Sequence, residues 1–163
     1  MVSFSMKNKS GRCTSSQVGF TLIEVLLVIA ILAILAAIVI VAINPAKQLG
    51  EANDTQRRSD VKTILDAVQQ YAIDNAGTLP TGIPVGTTCI SDGAPVCKVD
   101  TSCTGGVSLD VLISGRVYLA DLPIDPTGET TSATGYYVFQ NSGGRVGVCT
   151  LSTYGSDPIS IIR

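Results

Sequence analysis

A glycine–phenylalanine junction, one glutamate inside a long apolar run, five cysteines and a few acids near residue 125 are the residues of this 163-residue chain that could carry chemistry. Histidine, the commonest general base and zinc ligand, is absent, which argues strongly against an enzyme. The serines and threonines sit in loop-like stretches without a nucleophile–base arrangement. Eleven basic and thirteen acidic residues give a net charge of -2, and no long basic run suggests wrapping around nucleic acid.

The glutamate is Glu24, the only charge among the 24 residues from Phe20 to Ile43, FTLIEVLLVIAILAILAAIVIVAI. As a helix this run would be about 36 Å long, enough to cross the hydrocarbon core of a bilayer. It contains no proline or glycine, so its backbone groups can pair within the helix. Nineteen consecutive apolar residues leave no polar face, and only 120 residues follow to bury them, so the run reads as a membrane helix. The mean hydropathy of +0.39 comes mostly from this segment. Residues 1–19 carry Lys7, Lys9 and Arg12 and no acid, which keeps this head cytoplasmic and sends the C-terminal part outward. The run exceeds an ordinary signal-peptide core, and no small-x-small site follows it closely.

Gly19-Phe20-Thr21-Leu22-Ile23-Glu24-Val25-Leu26-Leu27-Val28-Ile29 resembles the prepilin processing and methylation motif of type IV pilins and type II secretion pseudopilins. The resemblance covers about residues 19–50. It implies cleavage after Gly19 by a membrane aspartyl peptidase, methylation of Phe20, and extraction by an inner-membrane assembly platform into a homo-oligomeric filament. The fold it implies is α+β and type IV pilin-like, a long hydrophobic helix bearing a small exported head of helix and antiparallel strands. The expected organisation is leader 1–19, membrane and filament-core helix 20–43, amphipathic continuation 44–76 and globular head 77–163. The subunit would begin as a single-pass membrane protein and end in a periplasmic or cell-surface filament. An anchored extracytoplasmic binding module and a minor pilin for adhesion or DNA uptake are the alternatives. Loss of the leader takes the net charge from -2 to -5, which disfavours direct contact with nucleic acid.

The residues support the same roles by themselves. A carboxylate inside a spanning helix is costly unless paired, and cleavage would create an amine at Phe20 one helical turn from Glu24. Glycine before the cut suits extended backbone in a narrow protease cleft. Ala30, Ala33, Ala36 and Ala37 either let neighbouring helices approach or serve as plain apolar spacer.

Asn44-Pro45 should interrupt the helix. From Ala46 to Ala76 a helical pattern resumes, with Leu49, Ala52, Gln56, Val61, Ile64, Leu65, Val68, Tyr71 and Ala72 facing the head. Arg57-Arg58 reads as a solvated face, with phosphate contact as the alternative. Gly77 and Pro80 end the helix.

Residues 77–107 read as an irregular loop containing Cys89, Cys97 and Cys103. Cleavage removes Cys13 and leaves four cysteines with Cys149, an even number that suggests two disulfides in three possible connectivities. Cys89–Cys97 and Cys103–Cys149 is the pairing preferred here. A four-thiolate zinc site is disfavoured by the absence of any CxxC pair.

A short helix or helix and turn is expected within Leu109–Leu122, and a hairpin from Gly135–Gln140 through Asn141-Ser142-Gly143-Gly144 to Arg145–Leu151. The tail reads as an edge strand around Ile159–Ile162. Tyr118-Leu119, Asp125-Pro126-Thr127-Gly128 and Tyr136-Tyr137 are similar to the C-terminal signature of major secretion pseudopilins, which often hold calcium there. This chain lacks the aromatic between proline and glycine and has a longer insert, Glu129 to Thr134. Asp121, Asp125 and Glu129 are the candidate calcium ligands; solvated acids are the preferred reading. No other cofactor is expected.

Overall fold

A computed structural model describes residues 19–128, 132–155 and 157–163. Two units make up the chain, residues 1–43 and 44–163.

The first unit contains α1, Leu22–Ala42, in which no residue is buried. Thr21 caps it, its hydroxyl accepting the backbone N–H of Glu24 at 3.3 Å. This side-chain cap pins the start of the helix where the apolar run begins.

The second unit opens with α2, Pro45–Asp74. The Asn44 side chain accepts from Lys47 N–H at 3.2 Å, and Pro45 occupies the first turn, where its missing N–H costs nothing. Proline thus starts a new helix. The buried stripe of α2 is Arg57, Asp60, Val61, Ile64, Leu65, Ala67 and Val68. Leu49, Ala52 and Gln56, expected on the inner face, are exposed; before Arg57 the helix meets the head through Gly50 and Asp54, which lie against Tyr154.

Four strands form one antiparallel sheet in the order β1-β2-β3-β4: Ala94–Cys97, Ala133–Gln140, Val146–Thr150 and Ile159–Ile162. The expected hairpin is β2–β3, registered Val138 to Val148 and Gln140 to Val146. Its turn is held by Asn141 Oδ1, which accepts the N–H groups of Gly143 (3.0 Å) and Arg145 (2.8 Å). The tail is β4, an edge strand as expected. Asp110–Ile113 forms the short α4, followed by a 3-10 turn at Ser114–Arg116.

Period-two alternation divides β2 between two cores. Tyr136 and Val138 join Val61, Ile64, Leu65, Val68, Leu112 and Val148 in the main core. Phe139 packs with Cys89 and Cys149 in a second cluster. Phe139 pairs with Gly147, where a Cβ would strike the Phe139 ring. This is the α+β, pilin-like organisation: a long apolar helix, a second helix and a four-stranded antiparallel sheet.

The stretch 77–107 is more ordered than expected. It contains α3, Cys89–Asp92, and strand β1, which pairs Ala94 with Val138 and Pro95 with Tyr137. Pro95 hid this strand, but an edge strand tolerates proline.

Candidate functional site

The α1 N-terminus places Phe20 and Glu24 along one side of the helix, where Val25, Val28 and Ile29 join them around a shallow apolar hollow. Phe20 is 83 % exposed and the large apolar side chains behind it are all at least 42 % exposed through Ile43. Among the described residues, α1 alone is long and apolar enough to cross a membrane. At Gly19 a Cβ would meet nothing within 4 Å, and the backbone does not take a positive φ there. Among the described residues, nothing demands glycine at position 19. Residues 1–18, with the basic leader and Cys13, lie outside the described residues.

The four cysteines of the head form two disulfides, Cys89–Cys149 and Cys97–Cys103, which corrects the preferred pairing. Cys97 ends β1, and the chain turns back through Thr101 N–H donating to the Lys98 carbonyl at 3.1 Å. Cys103 returns to a Cα separation of 5.5 Å from Cys97. Cys89 lies under the sheet beside Phe139, where β3 delivers Cys149 from 60 residues away. Sheet topology, unseen in the spacings, decides the pairing. Next to Cys89, the Asp92 carboxylate accepts from Thr87 N–H at 2.8 Å and Thr88 N–H at 3.3 Å. The backbone N–H of Thr87, then the Ser91 hydroxyl and the Thr88 N–H, hold its pKa down at about 2.

The two described acids near residue 125 have different surroundings: Asp121 is exposed and Asp125 is buried. Asp125 is 2 % exposed and is gripped by Arg57, itself 3 % exposed. Arg57 donates Nε–H to Asp125 Oδ2 at 2.7 Å and Nη2–H to Oδ1 at 2.9 Å. Its Nη1 donates to Asp54 Oδ1 at 2.9 Å, and Nη2 also reaches Thr127 Oγ1 at 3.1 Å. Both readings of Arg57, solvated or phosphate-facing, are overturned; only Arg58 is exposed. Burial pushes the Asp125 carboxyl up, but hydrogen bonds from Arg57 and Thr127 outweigh it and hold the group below its ordinary value. The Asp125 hydrogen bonds, against the opposing effect of burial and with help from Asp54, raise Arg57 above its ordinary value. Asp121 is exposed and accepts from Leu122 N–H at 2.8 Å; Glu129 lies outside the described residues. Among the described residues, no group of three or more Cys, Asp or Glu side chains could hold a metal ion. The periodicity offered a signal for Arg57: it stands four residues before Val61 and seven before Ile64, in phase with the core stripe.

No curated protein and no solved structure matches the chain. A family model, the prokaryotic N-terminal methylation motif, matches residues 15–40, spanning the Gly19–Phe20 junction, Glu24 and most of α1. Together with an exposed apolar helix of 21 residues, this fits the membrane-anchored precursor of a pilin or pseudopilin subunit. Over residues 15–40, the chain carries the prepilin signature of type IV pilins and pseudopilins.

Proposed function

We propose that the protein is a structural subunit of a type IV pilus-like or type II secretion pseudopilus filament. A prepilin peptidase cuts after Gly19 and Phe20 is methylated. The inner-membrane assembly platform then draws subunits from the bilayer, head outward, and stacks them through the helix from Phe20 to Ile43. Glu24 pairs with an N-terminal amine, its own or that of a neighbouring subunit. The observation that carries this reading is α1 itself: 21 residues, none buried, with a carboxylate in the first turn. Such a surface is stable in lipid or against copies of itself and nowhere in water. In the low-dielectric interior of a bundle, the carboxylate needs a positive partner, and a new amine one turn away supplies it.

Expression beside an assembly machine, followed by shearing, tests the proposal. Filaments in the electron microscope whose subunits begin at Phe20 are expected. Full-length chains confined to the membrane, with no filaments, would instead identify an anchored binding module. Calcium bound at Asp121, Asp125 or Glu129 is not part of the proposal.

A further inference from the structure

We infer that the Arg57 guanidinium is the resident cation of the turn at 121–128, so the head fixes this turn to α2 without calcium. The inference concerns the head alone and stands whether or not subunits assemble.

Two carboxylate oxygens offer about four acceptor sites. Asp125 Oδ1 accepts Arg57 Nη2–H, the Thr127 hydroxyl and Thr127 N–H, the last at 2.9 Å, and Oδ2 accepts Arg57 Nε–H, so the guanidinium holds both oxygens. The backbone closes the same turn: Gly128 N–H donates to the Asp125 carbonyl at 2.9 Å, and Asp125 N–H to the Thr134 carbonyl at 2.8 Å. A calcium ion needs six to eight oxygens at about 2.3–2.6 Å. To use Asp125 it would have to displace a guanidinium from both oxygens or share them against like-charge repulsion. Asp54 is committed too, accepting from Arg57 Nη1 and from Tyr154 N–H at 3.1 Å. A planar fork that reaches two carboxylates from inside a packed stripe is work for arginine; a lysine ammonium is a single point charge.

Thermal unfolding of the full mature chain in detergent, followed by circular dichroism, tests this. In excess chelator and in millimolar calcium the wild-type midpoint should agree within about 1 °C. A resident site saturated a hundredfold above its Kd would raise it by on the order of 10 °C, and such a rise would overturn the inference. Arg57→Met should lower the midpoint by roughly 10 °C at neutral pH, because it leaves Asp125 buried and unpaired. That deficit should shrink in acid, where Asp125 takes up a proton. If Arg57→Met does not fold, Arg57→Lys serves: it should fold with a lower midpoint, still indifferent to calcium. A wild-type midpoint in either variant would show that Arg57 does not hold the turn.

Discussion

The Tyr136 hydroxyl donates to Asp60 Oδ2 at 2.6 Å, joining β2 to α2 across 76 residues of sequence with both side chains buried. Gln56 Nε2 supplies the other Asp60 oxygen at 2.8 Å. Tyr136→Phe removes one of these two donors and leaves a buried charged acceptor short of a partner. It should cost about 2 kcal/mol in denaturant unfolding. Burial, then the Asp60 carboxylate, raises the Tyr136 pKa above its ordinary 10.0. The folded state thus keeps a proton that the unfolded state releases near pH 10, and stability falls as pH rises beyond that point. Ultraviolet titration should find Tyr136 ionising only with unfolding, a feature absent from Tyr136→Phe.

Asp125 works at the opposite end of the pH scale. Its folded pKa lies below the ordinary 3.8, so the contribution is complete above that value and disappears as pH falls through the folded one. Asp125→Asn should lose roughly 3 kcal/mol at neutral pH and show a flatter acid limb than wild type, the two curves converging in acid. Parallel curves across the whole range would mean that the Asp125 charge contributes nothing.

The two disulfides should differ in worth. Cys89–Cys149 closes 60 residues and Cys97–Cys103 only 6. Chain entropy assigns about 4 kcal/mol to the first and about 2 kcal/mol to the second, so replacing the Cys89–Cys149 pair by serines should be the more damaging. Non-reducing peptide maps cut at Asp92, Lys98 and Arg116, so that each cysteine of the head lies on its own fragment, separate the connectivities. Cys89 should remain joined to the C-terminal fragment containing Cys149, and a Cys89–Cys97 link would contradict the fold.

Local patterns made α1, α2, the short helix α4, the hairpin and the methylation motif legible in the sequence. Twenty-four residues with one charge identify α1, and Asn141 to Gly144 between two β-branched and aromatic runs identifies β2–β3. What escaped was non-local. Strand β1 has only Ala94, Pro95, Val96 and Cys97 to announce it, and it exists because β2 offers a free edge. Arg57 and Asp125 are 68 positions apart, and each looks like a surface residue until packing brings them together. The disulfide pairing failed for the same reason, since proximity along the chain is a poor guide once a sheet reorders it.

Glu24→Ala should leave insertion and cleavage intact and impair assembly. The substitution makes the spanning helix more apolar, so partition into the bilayer becomes easier. The Thr21 cap, which uses the Glu24 backbone N–H, survives the change because the side chain takes no part in it. Gly19 and Phe20 remain at the junction, so the peptidase keeps its landmarks. On the proposed reading, only the partner of the new N-terminal amine is lost. In the filament core that amine would then stand unpaired at low dielectric, a far larger cost than any surface ion pair carries. Mature Glu24→Ala subunits should therefore accumulate in the membrane fraction, with few or no filaments in the sheared fraction. Glu24→Gln separates charge from hydrogen bonding: it should assemble as poorly if charge matters, and recover substantially if an acceptor is enough. Wild-type filament yield from fully cleaved Glu24→Ala would show that the carboxylate has no part in assembly.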